Sequence, residues 1–133
     1  SAAHADDHRL VLTARSENHL HGRHDLEDTI ARLRAFQAAG ADVVYAPGLA
    51  DLGQIGEVVR SVDVPVNVLL RPGGPDVAEL AEAGVARISV GGAFHLVSLA
   101  AVEAAARELL EQGSLGFLEQ AVAGWKIRAR AFQ

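Results

Sequence analysis

Helical patterns in this chain run almost directly into apolar runs, and that joint constrains the fold more than any other feature. Ala38-Ala39-Gly40-Ala41-Asp42 leads into Val43-Val44-Tyr45-Ala46, and Ala83-Gly84-Val85 leads into Ala86-Arg87-Ile88-Ser89-Val90. Glycine closes a helix by taking a left-handed conformation that other residues resist. The joint leaves no room for a hairpin, so strands linked through such helices run parallel. The pattern places strands at about 10–14, 43–46, 64–70 and 86–90, with helices at about 25–39, 51–61, 76–83 and 93–112. Leu26, Ile30, Leu33, Phe36 and Ala39 recur at spacings of three and four, which gives the first helix one buried stripe. Asp25, Asp51 and Asp76 stand where the first three helices need a cap.

Four strand–helix units suit either a doubly wound sheet or a β/α barrel. The first strand has no unit before it, and four units leave an apolar edge open and a barrel interior unfilled. The expected fold is therefore α/β, as half of a (β/α)8 TIM-type barrel. Residues 1–9 are expected as a linker or disordered N-terminus, 10–112 as the four units, and 113–133 as a helical tail that packs between subunits.

Function is sought at strand ends, because ligands of parallel α/β folds bind at the carboxyl ends of the strands. Val11-Leu12-Thr13-Ala14 reads as a strand buried on both faces, ending in Arg15-Ser16-Glu17-Asn18. Arg15 is the candidate for gripping a carboxylate or phosphate with paired hydrogen bonds; an Arg–Glu pair that merely caps the strand is the alternative. Ser89, near a strand end beside Gly91-Gly92, is a candidate anion contact at the next helix N-terminus. His19, His21 and His24 match no helical zinc spacing, and Gly22 makes the segment a mobile loop over the site mouth.

Composition narrows the classes. A net charge of −5 with no basic block gives no footprint for nucleic acid, and Lys126 is the only lysine, so cationic chemistry falls to arginine. The chain has no cysteine, which removes disulfides, thiolate nucleophiles and cysteine-bound metals. No apolar run approaches the roughly 18 residues of a membrane span. The expected location is cytoplasmic.

Thr13-Ala14-Arg15-Ser16-Glu17, Ala38-Ala39-Gly40-Ala41-Asp42, Val64-Pro65-Val66 and Gly84 through Gly92, taken in that order, resemble the isocitrate lyase/phosphoenolpyruvate mutase superfamily. The likeness runs from about Leu10 to Leu118 and implies units five to eight of the barrel. It implies a Mg2+-dependent enzyme that breaks or forms a C–C or P–C bond through an enolate of a small 2-oxo or 2-hydroxy acid. Arg15 would hold the substrate's anionic group and Glu17 would act beside it, both as catalytic residues, with Asn18 and Ser89 as further substrate contacts. The metal-binding aspartates of the superfamily belong to the first four units, so the resemblance implies no metal ligand in this chain. It further implies a missing N-terminal half-barrel as partner and a homo-oligomer with exchanged C-terminal helices. Two positions depart from the pattern. Pro47 stands where a glutamate or histidine is common, and Asn67 falls two residues short of the strand-seven asparagine, with Leu69 at that point. These departures motivate the alternative of a catalytically silent fragment or paralogue that serves as an assembly or binding module. The chain by itself is expected to be inactive.

Overall fold

The computed structural model describes residues 10–131. Four parallel strands form one sheet in sequential order: β1 (Thr13–Arg15), β2 (Val43–Tyr45), β3 (Val66–Leu69) and β4 (Arg87–Ser89). Between them lie α1 (Leu26–Ala38), α2 (Leu52–Ser61) and α3 (Val77–Glu82). A doubly wound sheet reverses its strand order, whereas sequential order with right-handed crossovers winds all the helices onto one face. The core agrees with single winding. Ile30 and Leu33 of α1, Ile55 and Val58 of α2 and Leu80 of α3 all pack with Val44, Val66 and Val68.

The opposite face carries Arg15, Tyr45, Asn67 and Arg87 beside the apolar Val43 and Leu69. Register pairs Arg15 with Tyr45, Tyr45 with Asn67, and Asn67 with Arg87. Arg87 reaches across this face from β4 and donates to Thr13 Oγ1 of β1 at 3.0 Å. In a flat sheet those strands would stand about 14 Å apart, three spacings of roughly 4.8 Å, beyond an arginine's reach. The sheet is therefore concave toward Arg15, Tyr45 and Arg87.

The first strand corrects an expectation. It begins at Thr13, and Val11 is 68% exposed, so the run before it is not buried on both faces. β1 is an edge strand among the described residues, with only β2 beside it. Pairing reaches back to Leu12, whose carbonyl accepts from the Asp42 and Val43 amides and whose N–H donates to Asp42 Oδ2. The expected segment 1–9 lies outside the described residues.

All three cap aspartates accept a backbone N–H: Asp25 from Asp28, Asp51 from Gln54 and Asp76 from Glu79. Only Asp76 completes a reciprocal box, with Glu79 reaching back to its amide.

The chain divides into two compact units, 1–91 and 92–133. In the second, α4 (Ala93–Arg107) ends in a wider π-helical turn, Glu108–Gln112, and α5 (Phe117–Ala131) follows as one continuous helix. Leu118, Val122 and Trp125 recur along one side of α5, and Trp125 is 70% exposed. Among the described residues no helix is long and apolar enough to cross a membrane.

Glu108 holds the corner between these helices. Its carboxylate accepts from Ser114 Oγ and from the Gly116 and Phe117 amides. These bonds, the Ser114 hydroxyl first, hold the Glu108 pKa below its ordinary value. A lowered folded-state pKa means the contribution is complete above the unfolded value and is lost as pH falls through the folded one. The Gly116 and Phe117 amides are thus expected to lose hydrogen-exchange protection below the usual glutamate range. Glu108→Gln should flatten that profile; an unchanged profile would dismiss the carboxylate as the corner's tie.

Candidate functional site

At the carboxyl end of β1 the backbone sends successive side chains to opposite sides. Arg15 projects over the concave face, where its Nε donates to Glu17 Oε1 at 2.8 Å. Its guanidinium carbon lies 5.2 Å from the ring centre of Tyr45, the residue that register places beside it. The arginine is thereby aimed while its side chain stays half exposed. Ser16 turns the other way. Its N–H extends the ladder to the Tyr45 carbonyl at 2.9 Å. Its hydroxyl is buried, with the residue 2% exposed, and has no hydrogen-bond partner.

Asn18 ties the strand end to α1. Its amide donates to Asp28 Oδ2 at 2.7 Å and to Thr29 Oγ1 at 3.2 Å. Asp28 also accepts from Arg32 Nε at 2.6 Å. The hydrogen bonds from Arg32 and Asn18 hold the Asp28 carboxyl below its ordinary pKa. That engagement explains why Asp28 does not reach back to cap Asp25. Both amide hydrogens of Asn18 are thereby committed within the chain.

These elements enclose a cleft of about 270 Å³, lined by Arg15, Ser16, Glu17 and Asn18, by His21 and Arg23, and by Arg32 and Phe36 of α1. The volume equals roughly nine waters at about 30 Å³ each. Three arginines face one lining carboxylate, an arrangement suited to an anion.

Three of the four residues expected from the sequence therefore meet at one cleft. Ser89 does not line it. Its hydroxyl accepts from Asn67 Nδ2 at 3.1 Å and lies 3.4 Å from the Val68 carbonyl, within the sheet. Sequence reasoning missed Arg23 and Arg32. The Asp28–Arg32 spacing of four was a visible helix pair. Arg23 gave no signal, because its place depends on how the preceding turn folds.

That turn is ordered and is not the expected mobile loop. Asn18–His21 form one 3-10 turn, Gly22 closes it at φ 73°, and the Arg23 N–H returns to the Asn18 carbonyl at 2.9 Å. His19 packs against Gly48, and its ring meets His24 edge-on at 5.7 Å. Burial first, then the His24 charge, lowers the His19 pKa and favours neutral imidazole. Gly48 sits at φ +92°, and a Cβ there would fall 3.1 Å from the His19 backbone. Gly48→Ala is accordingly expected to cost about 1–3 kcal/mol in thermal or urea unfolding. An unchanged midpoint would show that the turn yields freely.

Among the described residues no three His, Asp or Glu side chains gather as metal ligands. Glu17 is engaged by Arg15, and Asp28 by Arg32 and Asn18. Mg2+ takes an octahedron of oxygens near 2.1 Å, usually with one or two carboxylates. The described residues do not make such a site by themselves.

Residues 1–110 match the family model of phosphoenolpyruvate phosphomutase. An uncharacterised protein of Mycobacterium tuberculosis H37Rv is 37% identical over 99 residues, 74% of this chain and 38% of its own length. The oxaloacetate decarboxylase of Paraburkholderia xenovorans LB400 is 36% identical over 118 residues, covering 86% of this chain and 37% of the enzyme. A candidate lyase/mutase from Burkholderia cenocepacia J2315 superposes with a TM-score of 0.89 at 48% identity, over 99% of this chain and 48% of that one. A 2,3-dimethylmalate lyase, a member of the PEP mutase/isocitrate lyase superfamily, gives 0.69 at 26% identity, over 91% and 47%. The chain thus spans under two fifths of the length of these curated relatives and about half of the solved ones.

Proposed function

We propose a function from one premise: the chain belongs to the phosphoenolpyruvate phosphomutase family. On that footing it is the C-terminal portion, units five to eight, of a barrel enzyme acting on a small 2-oxo or 2-hydroxy acid. The reaction class is cleavage or rearrangement of a C–C or P–C bond through an enolate. The likeness to an oxaloacetate decarboxylase and a dimethylmalate lyase favours C–C cleavage.

The carrying observation is Arg15, aimed by Glu17 and Tyr45 at the carboxyl end of an edge strand and opening on an anion-sized cleft. When such an acid loses its C–C bond, the electron pair moves onto the neighbouring carbonyl oxygen as an enolate. Arg15 would hold the carboxylate that remains and keep the breaking bond oriented, while its charge lowers the cost of the developing anion. Glu17 would fix the direction of the fork, and Asn18 would hold the turn that carries Glu17. Ser89 keeps its hydroxyl in the sheet and is given no part. Mg2+ would supply further stabilisation of the enolate from ligands outside this chain, and no step here runs through it.

The concave face and the apolar side of α5 then require cover, from a preceding half-barrel and from another subunit respectively. Light scattering tests that part, since a stable 14.0 kDa monomer of this chain would retire it. Release of pyruvate from oxaloacetate by the full-length protein tests the reaction class. No turnover of any 2-oxo or 2-hydroxy acid, with Mg2+ supplied, would leave the second reading, a silent assembly module. Pro47, buried just past β2 where it can neither ligate nor transfer a proton, is the observation that favours that reading.

A further inference from the structure

We propose that His19 makes the turn Asn18–His21 a proton-sensitive wall of the cleft, closed while its imidazole is neutral and opened when the ring takes a proton. The switch rests on the geometry of the turn and its neighbours. Its bearing on ligand binding rests on reading the cleft as the site.

The turn carries part of the cleft's lining. His21 belongs to it and Arg23 follows directly, and both line the cleft. Its own bonds are few. The Leu20 and His21 N–H groups donate to the Glu17 carbonyl at 3.1 and 3.3 Å. Gly22 N–H reaches the His19 carbonyl at 3.4 Å, and Arg23 N–H that of Asn18 at 2.9 Å. A single 3-10 turn is marginal unless it is packed in place. Here the packing comes from His19, pressed so closely on Gly48 that a Cβ there would fall 3.1 Å from the His19 Cβ.

That packing suits only the neutral ring. His19 Nε2 is buried and has no hydrogen-bond partner. With the proton on Nδ1, Nε2 is a bare lone pair, and its burial costs little. Protonation turns the same atom into a charged donor without an acceptor, which is far costlier. The surroundings add cations. His24 meets the ring edge-on at 5.7 Å, and Arg71 donates to the carbonyl of Gly48 behind it. The carboxylates flanking the turn and the loop are engaged elsewhere. Glu17 faces Arg15, and Asp28 faces Arg32 and Asn18. Asp25 and Asp51 cap their helices. The lowered His19 pKa, set by burial first and by His24 second, has the same sign. A group whose folded-state pKa lies below its unfolded value stabilises fully above that unfolded value, about 6.5 for histidine. The contribution is lost as pH falls from there toward the folded value. Asn18 remains tied to Asp28 and Thr29, so the opening stays within the turn.

The test is amide hydrogen exchange in the full-length protein, read by NMR from about pH 7.5 to about pH 5.5 and corrected for the intrinsic pH dependence of exchange. Protection at Gly22 and Arg23 is expected to fall several-fold, by up to about tenfold per pH unit below about 6.5, while α1 keeps its own. His19→Gln, which has no titrating ring, should hold the turn's protection flat over that range. Should that variant fail to fold, the wild-type His19 ring decides, since it must titrate below the ordinary histidine value. Protection that does not move, an equal fall in His19→Gln, or a His19 ring titrating at or above about 6.5 overturns the switch. In steady-state assays, KM for a 2-oxo acid should rise below about pH 6.5 in the wild type and stay level in His19→Gln. Loss of protection with an unchanged KM supports the switch and overturns the reading of the cleft as the site.

Discussion

Replacing Arg15 with lysine in the full-length protein is expected to lower kcat/KM by roughly 10- to 100-fold, the equivalent of about 1.5–3 kcal/mol. Lysine keeps the charge but not the fork. The native guanidinium gives its Nε to Glu17, lies over the Tyr45 ring, and still has its terminal nitrogens for a ligand. An ammonium on a flexible stem cannot meet all three demands with fixed geometry. Arg71→Lys is the control. Arg71 sits exposed in the turn after β3 and makes a 3.3 Å bond to the Gly48 carbonyl, so its substitution should change kcat/KM by less than about twofold. Equal effects of the two substitutions would remove Arg15 from its role. A drop seen in KM alone would make Arg15 a binding residue without a part in the bond-breaking step.

The largest stability effect is expected at Leu80. It is the only buried side chain of α3, a helix of six residues, and is fully enclosed by the core. Truncation to alanine removes that contact and opens a cavity, at about 2–5 kcal/mol. For a unit of this size, each kcal/mol moves Tm by about 4–8 °C, so the shift should exceed roughly 8 °C. Val77→Ala, on the same helix but 57% exposed, should stay within about 0.5 kcal/mol. Comparable shifts for the two would mean that α3 packs differently from the arrangement described.

Helix caps and winding were legible in the sequence because they are local. Asp25, Asp51 and Asp76 act three residues ahead, and the glycines at 40 and 84 close helices within the same stretch. Strand interiors were legible where a strand has neighbours on both sides, as at Val43–Tyr45. They were misread at Val11 and Leu12, where apolar composition gives no sign that β1 starts only at Thr13 and, among the described residues, pairs on one side alone. The site divides in the same way. Arg15 and Glu17 stand two residues apart at a strand end, so their meeting could be read directly. Arg23 enters the cleft only because Gly22 turns the chain and Asn18 anchors it from the far side. A histidine-rich, glycine-broken stretch looks mobile until the close approach of His19 to Gly48 is known.

The Arg87–Thr13 contact has a consequence for the order in which the molecule assembles. Its partners lie 74 residues apart, whereas β1 and β2 are joined by bonds such as Leu12 to Asp42, 30 residues apart. Closing the longer loop costs more chain entropy, and nothing repays it until the intervening strands are in place. Neighbouring β/α units should therefore dock pairwise first, and the curl of the sheet should be set last. Substitutions at Thr13 or Arg87 would then speed unfolding while leaving the refolding rate nearly untouched. Curvature in this sheet is a late acquisition, fixed after its hydrogen-bonded ladder is complete.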